Sequence, residues 1–294
     1  MPPRGVVATI PKEHVCLGAR ALEDGSSIEH FARMVSPLHW KDVCMAMLTV
    51  CYDGAGKDTP EHKVLAVAGF ASFAGMWTEF TQKWEARLKE DELPYFHAGK
   101  FAHSTGPFSE GWKDDESRRQ ALASDLMSII RECGLRKFDS MIRLEDFRYS
   151  IDKHADELKN WPLLEVFAVT AMRAVEAFQA YARREGITRN IRYVFDKGDP
   201  EDQLRTLFRE YGFAEPDFTW SKPNTDRKGF SHDPFVGLQA AGWVTYEYYL
   251  DAARMLYSTP TDRWAFQEFE SIPGHIHLET PSPSRQMPPV WMRT

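Results

Sequence analysis

Alternating strand-like and helix-like patterns constrain the fold of this chain more than any other feature of its sequence. The segment VLAVAGFA (64–71) contains no polar residue, as expected for a central strand that is covered on both faces. The large apolar residues that follow recur at steps of three and four, as on one face of a helix: Trp77, Phe80, Trp84 and Leu88. This succession predicts an α/β fold in which helices pack on both faces of a mixed sheet.

The same two patterns continue along the chain. Further strands are predicted at 47–52, 137–144 and 191–196. Further helices are predicted at 122–133, 163–186, 200–212 and 234–256. Asp233 and Pro234 are residue types that favour an N-cap and a first helical turn, so we expect the last helix to begin there.

Composition divides the chain into three parts. Residues 1–44 have no regular period and are expected to form a partly ordered extension, with translation beginning either at Met1 or near Met45. Residues 45–278 contain all the periodic segments and are expected to form one domain. Residues 279–294 are punctuated by proline and serine, which is typical of a loose tail.

The charge balance and the cysteines limit the classes of function. The 294 residues include 36 basic and 43 acidic side chains, which gives a formal net charge of −7. This balance argues against a basic coat for nucleic acid, but it allows an acidic, metal-binding centre in a local groove. Four cysteines without a CxxC pair indicate a reduced, cytoplasmic protein. No apolar run approaches the roughly 20 residues of a membrane helix, so no membrane contact is expected.

Two aspartates stand where a predicted strand runs into glycine. Asp53 directly precedes Gly54, and Asp196 is followed two residues later by Gly198. Carboxylates held by a rigid sheet suit a divalent cation, which prefers hard oxygen ligands in fixed geometry. The two aspartates can share a cation only if their strands lie side by side. Asp near Gly is also common in simple turns, so turn chemistry is the competing interpretation.

Two further features each allow two interpretations. Gly242 lies inside the predicted last helix, where glycine is unfavourable by roughly 1 kcal/mol relative to alanine. Either a close contact between helix and sheet or the loss of a larger, functional side chain explains it. Arg183 and Arg184 belong to a basic cluster that suits either phosphate groups or the solvated end of a helix.

Six short segments, taken in order, resemble a widespread bacterial and phage family, the domain of unknown function 3800, which is regarded as having an RNase-H-like fold. They are YDGAG (52–56), VLAVAGF (64–70), WTEFTQKWEARL (77–88), YFHAGKF (95–101), YVFDKGD (193–199) and GLQAAGWVTYE (237–247). The resemblance covers roughly residues 46–258. It implies that residues 45–278 form an RNase-H-like α/β domain of nuclease ancestry.

The resemblance also implies a set of site residues. RNase-H-like nucleases bind two divalent ions through about four carboxylates, and Asp53 and Asp196 match two of these positions. The glutamate that follows the first aspartate in the family is replaced by Gly54, and the aspartate of its last helix is replaced by Gly242. His97 matches a histidine that is expected to line the site and to orient water or phosphate.

Two residues of the last helix are weaker candidates. Glu247 matches the family, but five helical steps turn it about 140° away from position 242, so it does not simply replace the missing aspartate. Gln239 precedes Gly242 by three residues, lies nearer that face of the helix and offers at most a neutral oxygen.

The resemblance implies Mg²⁺- or Mn²⁺-dependent hydrolysis of a nucleic-acid phosphodiester by an eroded acidic site. Gly54 and Gly242 favour an alternative, a catalytically inactive binding module for nucleic acid or for a protein partner. A third hypothesis is an enzyme that uses the same aspartates on a small phosphorylated metabolite.

Overall fold

A computed structural model gives the structure of the chain and describes residues 47–59, 61–154, 165–187, 190–225, 231–256 and 263–278. The extension predicted at 1–44 and the tail predicted at 279–294 lie outside the described residues. Between them the chain forms a mixed sheet flanked by helices, which confirms the predicted α/β class.

Six strands form the central sheet of the described chain. They are β1 (Leu48–Ala55), β2 (Val64–Phe73), β3 (Arg136–Arg143), β4 (Ile191–Asp196), β5 (Asp217–Thr219) and β8 (Gly274–Leu278). Their order is β5-β4-β1-β2-β3-β8, and β2 is antiparallel to both β1 and β3. The other three neighbouring pairs are parallel. A separate two-stranded ribbon consists of β6 (Asn224–Thr225) and β7 (Ser231–His232).

Eight helices accompany the strands in the described ranges. They are α1 (Ala74–Glu90), α2 (Ala98–Ala102), α3 (Glu116–Glu132), α4 (Leu144–Lys153), α5 (Val166–Arg184), α6 (Glu201–Glu210), α7 (Val236–Met255) and α8 (Trp264–Glu270). The helices predicted from periodicity correspond to α1, α3, α5, α6 and α7, with ends displaced by a few residues. Among these described helices, none is both long and apolar enough to cross a membrane.

Successive residues of the sheet point into two separate cores. In β1, Cys51 joins a core formed with α1, α3 and α7, whereas Val50 and Tyr52 join a core formed with α5 and α6. Because neighbouring side chains leave a strand on opposite faces, helices cover both faces of the sheet, as predicted. The Trp77 indole donates a hydrogen bond of 2.9 Å to the Thr49 carbonyl and thereby anchors α1 to β1.

Helix α7 begins later than the sequence predicts. Its first residue is Val236, and its N-cap is Phe235, whose apolar side chain offers no capping oxygen. The Phe235 amide donates a 2.7 Å hydrogen bond to the Trp220 carbonyl, and its backbone is extended, with φ −83° and ψ 102°. The prediction that Asp233 caps this helix is therefore wrong, because the chain before α7 is tied to the loop that follows β5.

The parallel pairing of β1 and β4 brings the two predicted aspartates together. Tyr52 pairs with Phe195, and their rings stack with centroids 5.4 Å apart. Asp53 and Asp196 are the next residues of the two strands and therefore lie side by side at the carboxyl ends. Asp53 leaves β1 on the same face as Cys51, which is the face covered by α7.

Candidate functional site

Backbone amides orient the two neighbouring carboxylates. The amide of Gly54 donates a 2.7 Å hydrogen bond to Asp53 Oδ1. The amides of Gly198 and Ser221 donate to Asp196 Oδ1 at 3.1 Å and to Asp196 Oδ2 at 3.3 Å. Asp53 is thus held by an amide within β1, and Asp196 is held by amides of the turn after β4 and of the loop after β5.

The electrostatics of Asp53 show that the two carboxylates interact. Burial raises the pKa of Asp53 to about 7, and the negative charge of Asp196 contributes to this rise. The Gly54 amide and the positive charge of Lys222 act in the opposite direction. A buried acid whose ionised form is disfavoured by a neighbouring carboxylate marks a place where a cation is favourable.

A third carboxylate, Asp199, stands beside this pair. Burial is the largest cause that raises its pKa well above the usual range, and the charges of Asp53 and Asp196 follow. Its Oδ2 atom is enclosed and has no hydrogen-bond partner within the described part of the chain. Nothing in the sequence distinguishes Asp199 as a site residue, because an acid in the segment DKGD is typical of a turn.

The three aspartates line a cavity of about 320 Å³ together with His97, Lys222, Gln239, Gly242 and Tyr246. His97 is the N-cap of α2, and its Nδ1 accepts a weak 3.4 Å hydrogen bond from the Lys100 amide. Burial lowers the pKa of His97, and the positive charges of Lys222 and Lys100 lower it further. A neutral imidazole therefore borders the acidic cluster, at the place where His97 was expected.

Both explanations for Gly242, a close contact between helix and sheet and the absence of a functional side chain, agree with the structure. A Cβ atom at this position would lie 2.5 Å from Asp53 Oδ2, so α7 lies close to the carboxylate of Asp53 here. One turn later, the Thr245 hydroxyl lies 3.1 Å from the carbonyl of Asp53, within hydrogen-bond distance. Position 242 thus faces the acidic cluster directly, and a side chain there would contact Asp53.

Gly54, the other position at which the resemblance implies an acid, lies in a different environment from Gly242. Because adjacent strand residues point to opposite faces, a side chain at position 54 would leave Asp53 behind and point toward α5. A Cβ atom there would overlap the ring of Phe167, which belongs to α5. An aromatic ring thus fills the space in which a longer side chain at position 54 would begin.

Gln239 lines the cavity, but its amide oxygen is committed to other partners. Oε1 accepts a hydrogen bond of 3.0 Å from the Trp84 indole and one of 2.8 Å from the Phe96 amide. With both lone pairs occupied, this oxygen is not directed at a cation. The suggestion that Gln239 supplies a neutral ligand oxygen is therefore corrected: it supports the segment that carries His97.

Glu247 lies apart from the acidic cluster. Its carboxylate is buried and forms a bidentate ion pair with Arg263, with both N–O distances at 2.6 Å. It lines a second cavity of about 480 Å³, together with Arg119, Trp243 and Trp264. The candidate role of Glu247 at the metal site is corrected accordingly, since Arg263 already neutralises its charge.

The basic cluster at the end of α5 lies on another part of the sheet. Arg184 and Arg136 place their guanidinium groups 5.6 Å and 5.2 Å from the centre of the Tyr181 ring. These three residues line a cavity of about 60 Å³ next to Gly274 at the start of β8. Arg136 opens β3 opposite Ala71, several residues away from the level of Asp53.

The donor set of the acidic cavity suits a hard divalent cation. In the described ranges, no three His, Cys, Asp or Glu side chains already stand in a metal-holding arrangement. However, three carboxylates of like charge face one another, and one enclosed oxygen of Asp199 lacks a partner in the same part of the chain. Carboxylate oxygens are the ligands that Mg²⁺ and Mn²⁺ prefer, so the residues fit such an ion.

Comparisons with known proteins add no relative to this description. No family model matches the chain, and neither the curated proteins nor the solved structures yield a match. These comparisons neither support nor refute the resemblance to the domain of unknown function 3800. The function must therefore be inferred from the geometry and the electrostatics of the site.

Proposed function

We propose that this chain is an RNase-H-like protein of nuclease ancestry that hydrolyses phosphodiesters of nucleic acid with Mg²⁺ or Mn²⁺. The observation that carries this proposal is the meeting of Asp53 and Asp196 at the carboxyl ends of two parallel, neighbouring strands. The mixed sheet with helices on both faces supports it. In this proposal the acidic site is eroded at Gly54 and Gly242, and the protein acts in the cytoplasm.

Each residue of the cavity has a defined part in the proposed reaction. Asp53 and Asp196 would hold a divalent ion, which would activate water and stabilise the leaving oxygen. The oxygen of the attacking water would form a bond to phosphorus while the ester P–O bond breaks. The water would release its proton to solvent, and the leaving oxygen would take a proton from solvent. His97, being neutral, donates or accepts a hydrogen bond without adding charge. Lys222 is exposed at the rim and attracts the phosphate.

A cleavage assay tests this proposal. The full chain is incubated with single-stranded, duplex and hybrid nucleic acids in Mg²⁺ or Mn²⁺, and Asp53→Asn is compared with the wild-type protein. We expect cleavage that requires the metal and falls on the order of a hundredfold in Asp53→Asn, because a charged ligand of the cation is replaced by a neutral one and the cation stabilises the transition state. Asp114→Asn, at an exposed position, serves as the matched control. Cleavage that persists in Asp53→Asn contradicts the proposal.

The alternative function, a binding module without catalysis, is favoured by a separate observation. Arg184 and Arg136 flank one tyrosine ring and a small cavity, an arrangement that places two guanidinium groups where they could contact one phosphate group, with Arg184 Nε also 3.3 Å from Glu185 Oε1. This surface is distinct from the acidic cavity. A phosphate group bound by these arginines would therefore not also contact Asp53 or Asp196.

Charge reversal distinguishes the two functions. If the chain is a binding module, the double variant Arg183→Glu and Arg184→Glu loses its affinity for nucleic acid, whereas Asp196→Asn retains it, as measured by fluorescence anisotropy. Arg209→Glu, an exposed change in the last turn of α6, is the control for net charge. Loss of binding in Asp196→Asn with normal binding in the double variant supports the metal-dependent function instead.

A further inference from the structure

The turn that follows β4 folds Asp199 back onto the acidic pair. The Asp199 amide donates a 3.1 Å hydrogen bond to the carbonyl of Asp196, which closes a four-residue turn. Asp199 is followed by Pro200, the N-cap residue of α6. The side chain is thus fixed between the end of a strand and the beginning of a helix, which restricts where its carboxylate can point.

The carboxylate of Asp199 points inward rather than into solvent. Its Oδ2 atom is enclosed, and among the residues described by the structure it has no hydrogen-bond donor. An enclosed carboxylate oxygen without a partner is unfavourable, and a positive charge is the most effective compensation. A backbone hydrogen bond from Asp196 partly compensates the carboxylate, but the side chains of Asp53 and Asp196 act on it with negative charge and Oδ2 has no partner among the described residues.

Positions 54 and 242, where the resemblance implies acids, provide no further carboxylate next to Asp199. At position 54 the space is filled by the Phe167 ring, and at position 242 a Cβ atom would already crowd Asp53 Oδ2. Asp199 is therefore the acid that remains next to the pair.

We propose that Asp199 is a third ligand of the divalent cation held by Asp53 and Asp196, and that it replaces the acids that are absent at positions 54 and 242. This inference rests on the proposed function, because it concerns the same cation. It gives the site three carboxylates from two segments of the chain, and a mononuclear site is the simplest arrangement that this set supports.

Isothermal titration calorimetry with MnCl₂ tests the inference on the full chain. We expect Asp199→Asn to weaken Mn²⁺ binding by at least about tenfold, because a charged ligand becomes a neutral one. Asp202→Asn, an exposed acid three residues further along, is expected to change the affinity by less than about twofold. A second readout is the rise in melting temperature that Mn²⁺ causes, which should be smaller in Asp199→Asn than in the wild-type protein.

The possible results separate this inference from the proposed function. Equal Mn²⁺ affinity and an equal Mn²⁺-dependent thermal shift in Asp199→Asn and in the wild-type protein overturn the third ligand, even if nucleic acid is cleaved. Weakened binding in Asp199→Asn without any cleavage by the wild-type protein supports the third ligand and overturns the proposed function. If the wild-type protein binds no Mn²⁺ at all, both are overturned.

Discussion

Asp139 is a buried acid on β3, outside the acidic cavity. Within the described ranges, neither of its carboxylate oxygens has a hydrogen-bond partner. The nearby Lys137 ammonium instead contacts the Tyr248 hydroxyl and lies 3.0 Å from Glu270 Oε1. Burial raises the pKa of Asp139 to about 7, while Lys137 lowers it and Glu270 raises it. The ionised form of Asp139 therefore destabilises the folded protein.

Substitution of Asp139 should consequently stabilise the protein in a pH-dependent way. Because the pKa is higher in the folded state than in the unfolded state, the native state loses stability as the pH rises from about 4 toward 7. We expect Asp139→Asn to raise the free energy of unfolding by about 2 kcal/mol at pH 8, after an unpaired amide N–H offsets part of the gain. The difference should shrink toward pH 4.5. Urea unfolding at both pH values measures this difference in the free energy of unfolding, with Asp114→Asn as control. An equal difference at the two pH values contradicts the prediction.

Gly242 allows a second prediction at a single residue. Alanine is favoured over glycine inside a helix by about 1 kcal/mol, but a Cβ atom here would lie 2.5 Å from Asp53 Oδ2 and would displace it. We expect Gly242→Ala to weaken Mn²⁺ binding severalfold and to increase the melting temperature by less than the helical preference predicts. Calorimetry and thermal unfolding measure the two effects. Unchanged Mn²⁺ affinity would show that position 242 does not control Asp53.

At the scale of whole elements, α7 connects the cavity to the rest of the fold. Gln239 accepts hydrogen bonds from Trp84 on α1 and from Phe96, the residue before His97. On the sheet side, the Thr245 hydroxyl lies within 3.2 Å of both the amide and the carbonyl of Ala68. One helix thus fixes the position of the histidine segment relative to the end of β1.

Removal of the Gln239 amide should weaken this connection. In Gln239→Met, a change of similar size, two buried N–H groups lose their acceptor, which we expect to lower the free energy of unfolding by about 2–4 kcal/mol. Gln120→Met, an exposed change on α3, should alter it by less than about 0.5 kcal/mol. Urea unfolding followed by tryptophan fluorescence measures both variants. Equal stability of the two variants would mean that water replaces the lost acceptor.

Helices and strands could be predicted from periodic patterns within short segments, whereas the contacts between distant segments that build the site could not. The period of three and four residues predicted α1, whose residues Trp77 and Trp84 are buried as expected. Asp53 and Asp196 are neighbours only because two strands about 140 residues apart pair in parallel. A pairing over that distance in the chain could not be predicted from the sequence. Asp199 was missed because a turn and a ligand loop share the same residue types. The partners of Gln239 also come from distant segments, so its role could not be read locally.

For the whole molecule, the position of the charges matters more than their sum. The net charge of −7 is spread over the chain, but three acids are concentrated in one cavity at the end of the sheet. Their mutual repulsion raises the free energy of the folded state, in which they are held together. A divalent cation that binds the folded state and not the unfolded chain should therefore stabilise the entire domain.

The stability of the protein should depend on Mn²⁺ concentration in the manner of a specific ligand. At a free Mn²⁺ concentration of about one hundred times Kd, we expect the free energy of unfolding to increase by about 2.7 kcal/mol, and by less in Asp53→Asn. NaCl at matched ionic strength is the control for screening, which acts over about 10 Å and does not depend on ligand geometry. Thermal and urea unfolding in a Mn²⁺ series provide the measurement. If NaCl reproduces the entire effect, the cation acts on the general charge of the molecule and not at the acidic cavity.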